Sequence, residues 1–235
     1  MSNNQLSKLK KELKIPATRI GNCDQSHFNF EPLATFTLDF KGIKSVPINA
    51  INNEKLGFTV HLCVTESGIK APPLLIFKGK RKTPARLKLP EEYQVIIRCS
   101  PTGWINEDIF AEWIEDCWYH LVNKKPSILI LDNMRGNTTD AIKCIANRLQ
   151  ISLFQLPPNS TAISQPLDHH IIKQVKSSFM QQYEHWFQTV DINCKKPIFE
   201  WRNQCIEWLC KSWWNDIKTS NVKRAFRATV FPSQK

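Results

Sequence analysis

The segment Ile128-Leu129-Ile130-Leu131, opened by Ser127 and stopped by Asp132-Asn133, constrains the fold more than any other part of the chain. It is apolar throughout and only long enough for a strand. A strand with no polar face has both faces covered, so it belongs inside a sheet with helices on each side. The flanking sequence supplies such helices. Asn106 reads as an N-cap, and Ile109, Phe110, Trp113, Ile114, Cys117 and Leu121 recur at helical spacing to about Val122. Thr138 to Leu149 repeats the pattern with Ala141, Ile142, Ile145 and Leu149, and Ile151 to Leu156 reads as a further strand. Two strands joined by a helix predict a right-handed parallel crossover.

The N-terminal half adds strands of another kind. Lys8, Lys10, Lys11, Lys14 and Arg19 mark a short basic helix broken at Ile15-Pro16. Ile20 to Cys23 and Ala34 to Phe40 are strand candidates, and Gly57 to Val64 is the strongest strand in this half. It ends in the turn composition Glu66-Ser67-Gly68, so Pro73 to Phe77 reads as an antiparallel return. After Pro157-Pro158-Asn159-Ser160, Ser164 reads as a cap and Pro166 as a first-turn residue of a long helix. Leu167, Ile171, Val175, Phe179 and Tyr183 form its stripe, and helices over Phe199–Trp214 and Asn221–Thr229 follow. Hairpin-linked strands followed by strand–helix–strand units predict an α/β fold, a mixed sheet with helices on both faces, in the order of an RNase H-like fold.

Composition sets the class. The chain has 235 residues, 42% of them hydrophobic, with eight Trp and thirteen Phe, which is enough to build a sizeable core. No apolar run reaches the roughly 18 residues of a membrane span, and Met1-Ser2-Asn3-Asn4 opens no secretory segment, so a soluble intracellular chain is expected. The eight cysteines show no metal-ligand or disulfide spacing and read as small core residues. A formal charge of +11, from 32 Lys and Arg against 21 Asp and Glu, points to a polyanionic partner, nucleic acid first.

Three aspartates could meet in such a sheet. Asp24 follows the Ile20–Cys23 strand candidate, Asp132 ends the buried strand, and Asp168 stands in the first turn of the long helix. Singly, each has an ordinary reading: an Asx turn at Asn22-Cys23-Asp24, a strand-to-turn pair at Asp132-Asn133, and a favourable helix-dipole position for Asp168. Jointly, strand carboxyl ends that lie side by side bring them to one edge, where ligands of such sheets gather. Three carboxylates with no arginine close in sequence repel one another unless a cation shares them, and hard oxygen ligands suit Mg2+ or Mn2+.

The chain resembles the DDE superfamily endonuclease domain of the pogo/Tigger and jerky-like transposases, relatives of centromere protein B. The resemblance runs from about Ile15 to Phe231. It rests on Arg19-Ile20-Gly21-Asn22-Cys23-Asp24-Gln25-Ser26, Pro72-Pro73-Leu74-Leu75-Ile76 and Gly103-Trp104 before Ile109-Phe110-Ala111-Glu112-Trp113. Leu129-Ile130-Leu131-Asp132-Asn133, Leu156-Pro157-Pro158-Asn159-Ser160-Thr161, Gln165-Pro166-Leu167-Asp168 and the terminal Ser212-Trp213-Trp214 continue it. It implies an RNase H-like catalytic domain over 19–190, after a basic segment at 1–18 and before a C-terminal helical extension at 191–235. It also implies that Asp24, Asp132 and Asp168 are catalytic and hold two Mg2+ or Mn2+ ions, with Asp24 bridging them, for DNA cleavage and strand transfer in a nucleus.

The chain departs from the family pattern beside each aspartate. Gln25-Ser26 replaces the usual Glu-Thr, Met134-Arg135-Gly136-Asn137 follows Asn133 in place of Ala-Pro-x-His, and His169-His170 replaces Gln-Gly. Family members also carry helix-turn-helix modules before this domain. Asp24 lies so near the start that the resemblance implies either a homo-oligomer or a separate chain that supplies sequence-specific DNA binding. A domesticated domain that binds nucleic acid or protein without cutting is the alternative reading.

The strongest local charge is the loop with Lys78, Lys80, Arg81, Lys82, Arg86 and Lys88, either a phosphate-contacting segment or a solvated one. Lys80, Arg81 and Lys82, with Lys173 and Lys176 on the polar side of the Asp168 helix, are the candidate DNA contacts. His27, His169 and His170 read as surface residues and stay outside the metal set, and the helical tryptophans read as core.

Overall fold

The computed structural model describes residues 3–30, 57–132, 138–156, 165–189 and 197–231. Helix α1 (Asn3–Glu12) and a single tight turn lead into β1 (Ile20–Asn29). Strands β2 (Gly57–Thr65), β3 (Leu74–Lys78) and β4 (Ile96–Ser100) follow, then α2 (Glu107–Trp113), which runs on through a π turn at Ile114–Trp118 to Leu121. Next come β5 (Ser127–Leu131), α3 (Asp140–Arg148) and β6 (Ile151–Gln155). A π turn at Leu167–Ile171 opens α4 (Ile172–Phe187), and α5 (Ile198–Lys211) and α6 (Thr219–Thr229) complete the described chain.

The six strands form one mixed sheet in the order β4-β3-β2-β1-β5-β6. β1 pairs antiparallel with β2 and parallel with β5, and β5 pairs parallel with β6. This is the expected RNase H-like arrangement. The apolar run of β5 lies inside the sheet with every residue buried. Its side chains alternate as a strand requires: Ile128 and Ile130 join one core, and Leu129 and Leu131 join the other.

Helices α2 and α3 cover the Leu129 face, where Phe110, Trp113, Ile114 and Trp118 pack. Asn106 Oδ1 accepts from the Ile109 N–H at 3.0 Å and so caps α2, as its sequence predicts. The opposite face carries α1, α4, α5 and α6. Phe28, Phe58 and Phe77 stack across three strands there, with ring separations of 5.8 and 5.3 Å, and Phe179 of α4 meets Phe28 edge-on at 5.4 Å. Each such ring pair adds about 0.5–1.5 kcal/mol beyond the area it buries. The whole predicted stripe Leu167, Ile171, Val175, Phe179 and Tyr183 is buried against this face.

The sequence reading differs from the structure in three places. The first strand does not stop at Cys23, because β2 pairs with it from Gly21 opposite Thr65 to Asn29 opposite Gly57. No periodicity announces β4: Arg98 interrupts its apolar pattern, and the pairing that forms it is with β3, parallel. Arg98 is accommodated by a bidentate ion pair with Glu112, at 2.6 and 3.0 Å. Asp168 is not in a regular first helical turn, as described below. The strand expected over Ala34–Phe40 and the cap at Ser164 lie outside the described residues.

Candidate active site

Strand pairing places the first two aspartates. The parallel ladder between β1 and β5 runs Ile20–Ile128, Gly21–Leu129 and Asn22–Ile130, and then ends. Asp24 and Asp132 each stand two residues further on, so they are level with each other on adjacent strands. The pleat points both to the α4 face, with Asn22 and Ile130. Asp24 therefore lies inside a strand with respect to β2 but just past the end of pairing with respect to β5. Both residues are half-buried.

Asp168 arrives from above that face. Gln165, Pro166 and Leu167 are buried, and Asp168 itself is exposed. The turn that carries it is irregular: His169 has non-helical dihedrals, and His170 has φ 78° and ψ −23°. A left-handed backbone at a residue with a Cβ is strained, and it persists only where surrounding structure holds it. Asp168 is thus aimed by a break in the helix rather than by a regular first turn.

The electrostatics show how closely these groups meet. Burial, then the charge of Asp168, then that of Asp132, push the Asp24 carboxyl up to about 8, against the pull of the Gln25 backbone N–H. Burial also raises Asp168, against the opposing influence of Asp24 and Lys176. Gln165 approaches Asp24 and favours its charged form, although neither amide atom completes a well-formed hydrogen bond.

Of the five basic candidates, Lys176 is brought to the carboxylates. Burial lowers its pKa, Asp168 and Asp24 raise it, and its Nζ stands 5.4 Å from the centre of the Phe28 ring. Lys173 is exposed on the same helix. Lys80, Arg81 and Lys82 are exposed just past β3, at the same end of the sheet as the end of β1 and two strands over, about 10 Å along the sheet. Lys82 is paired with Glu112 at 3.0 Å. Trp104, 46% exposed, sits beside His27 near this loop. His27, His169 and His170 enter no metal-binding group among the described residues.

The donors fit a hard divalent cation in kind: three carboxylates, the most buried of which is raised first by burial and then by the charges of the other two. They are not a closed cage, since among the described residues no three acidic, histidine or cysteine side chains stand at metal-holding geometry.

Asn22 enters the sequence reading only as the start of an Asx turn; instead it lies inside β1, fully buried between the three aspartate-bearing segments. Its one available signal is an amide inside an otherwise apolar strand opening. Gln165 has no role of its own in that reading.

Residues 55–226 match the family of DDE superfamily endonucleases, and the chain belongs to that family. The matched stretch contains Asp132 and Asp168 and begins after Asp24. Over 228 residues the chain is 28% identical to the human (Homo sapiens) protein named Pogo transposable element with KRAB domain, covering 93% of this chain and 36% of that one. The mouse (Mus musculus) protein of the same name matches equally well. The chain thus spans about a third of the length of these relatives, 36%. Its fold is similar to that in the crystal structure of a pre-cleavage Mos1 transpososome, with a TM-score of 0.50 at 12% identity, covering 95% of this chain and 59% of that one.

Proposed function

We propose that this chain is a divalent-metal-dependent DNA endonuclease of the transposase kind, acting in the nucleus, with Asp24, Asp132 and Asp168 as its catalytic carboxylates. One observation carries the reading. Asp24 and Asp132 stand level on adjacent strands, Asp168 comes from a third element, and burial followed by the charges of Asp168 and Asp132 drives the Asp24 carboxyl far above its ordinary pKa. A fold has little reason to bear that repulsion unless a cation relieves it.

In this reading Asp24 lies between the other two and would be shared by two Mg2+ or Mn2+ ions, with Asp132 completing one site and Asp168 the other. Such ions activate a water or hydroxyl nucleophile and stabilise the leaving oxygen of a phosphodiester. The chain's own residues do the rest. Asp24, raised to about 8, must give up its proton to bind metal. Lys176 offers a cation to the phosphate backbone beside them, and Lys173, Lys80, Arg81 and Lys82 extend that contact without reading sequence. The similarity to proteins named for a transposable element and for a transpososome supports DNA as substrate.

The test is Mn2+ titration by calorimetry at low salt on the wild type and on Asp132→Ala, each with and without a DNA duplex, followed by a nicking assay. Mn2+ binding and nicking that both vanish in Asp132→Ala are expected. A folded wild type that binds no Mn2+ even with DNA present would sink the proposal.

A further inference from the structure

We infer that Asn22 is a positioning residue that sets the three aspartates in register; the inference rests on the metal reading above and deepens it. Asn22 is fully buried in β1. A buried amide has lost water on every polar atom, so it is tolerated only where partners replace that water. Both its ends find partners, and the partners are distant in the chain. The side-chain N–H donates to the Ile130 carbonyl at 3.2 Å, and Oδ1 accepts from the Leu167 backbone N–H at 3.0 Å.

The positions of the three bonded residues matter. Asn22 lies two residues before Asp24, Ile130 two before Asp132, and Leu167 one before Asp168. The backbone ladder between β1 and β5 stops at Asn22 and Ile130, so the side-chain bond is the last tie before the strands reach their aspartates. The Leu167 N–H is one of the donors that a helix start leaves without an intrahelical acceptor, and Pro166, next to it, supplies no side-chain cap. Asn22 fills that role from the strand and anchors the irregular turn just ahead of His169 and His170. A leucine would fill nearly the same volume, so packing does not call for an amide here. What the amide adds is direction: one planar group fixes three backbones within two residues of three carboxylates.

The experiment compares wild type and Asn22→Leu by Mn2+ calorimetry, and by the kcat and KM of Mn2+-dependent nicking on a DNA duplex. Outer partners of metal ligands typically change affinity by about 10–100-fold. Asn22→Leu, folded by circular dichroism, is expected to bind Mn2+ more weakly by that factor and to lose kcat, with KM for DNA unchanged. A merely structural residue would not split the two constants in this way. A folded Asn22→Leu with wild-type Mn2+ affinity overturns the positioning role and leaves the metal reading standing. A wild type that binds no Mn2+ overturns both. Should Asn22→Leu not fold, Asn22→Ser, too short to reach either partner, is judged by the same two outcomes.

Discussion

Asp24, inside a strand, and Asp168, on a broken helical turn, act on each other across the gap between the two elements: after burial, the charge of Asp168 is what most raises the Asp24 carboxyl. Asp24 in particular is raised to about 8, chiefly by burial and then by Asp168. A cation placed there would compete with the Asp24 proton.

Stability without metal should fall as pH rises. A carboxyl whose folded pKa exceeds its unfolded value binds more protons when folded, so its stabilising effect is complete below the unfolded value near 3.8 and is lost as pH climbs through about 8. Thermal melts in chelator are expected to show a lower Tm at pH 9 than at pH 6. Asp24→Asn removes the titrating group, so its Tm should change much less across that range. A wild-type Tm that stays level or rises from pH 6 to 9 contradicts the assignment.

Gly21 has no room for a side chain. A Cβ there would lie 2.3 Å from the ring of Trp118, which is fully buried and donates from Nε1 to Ser127 Oγ at 3.1 Å. Overpacking of this kind costs about 1–3 kcal/mol. Gly21→Ala should destabilise the fold by that amount, seen as a lower urea midpoint with the m-value unchanged.

Lys70 gathers the end of the α5 helical run. Its Nζ donates to the carbonyls of Trp213, Trp214 and Ile217 at 2.7, 2.9 and 2.8 Å. A buried acceptor left unpaired costs about 1–3 kcal/mol, so Lys70→Met should lose at least that much. Chemical denaturation measures it, and an unchanged stability would mean that solvent replaces the three bonds.

The basic loop should not act as a unit. Lys80 and Arg81 are exposed, while Lys82 is already engaged with Glu112. Removing one cation that touches a phosphate reduces the salt slope of DNA binding by about 1. Fluorescence anisotropy across a salt series should show this for Lys80→Ala and for Arg81→Ala, and a smaller change for Lys82→Ala. Equal effects from all three would show that DNA displaces Glu112 from Lys82.

Much of this architecture is legible in the chain because local rules and tertiary structure agree. The β5 run announces a strand covered on both faces, and Asn106 announces its helix. What escapes a sequence reading depends on partners far away in the chain. β1 looks short because Asp24, Gln25 and Ser26 break its apolar run, yet β2 continues to pair with it past all three. β4 is a strand because β3 is beside it, and its arginine is satisfied by Glu112 of α2. The aspartates can be proposed from spacing and resemblance, but the left-handed His170 and the bonds of Asn22 have no local signature.

The α4 face of the sheet is closed by residues from both ends of the described chain. Leu6 and Ile15 share its core with Trp213, Val222, Phe226 and Val230, while Lys10 pairs with Glu66 at 2.6 Å and lies 4.5 Å over the Phe231 ring. On a ribosome, most of that cover is made after the strands. β1 to β6 are all complete by residue 155, but α5 and α6 join the α4 face only as synthesis nears residue 230. Apolar surface left open in that interval favours aggregation, and a premature stop within α5 or α6 would release a sheet whose α4 face is covered only in part.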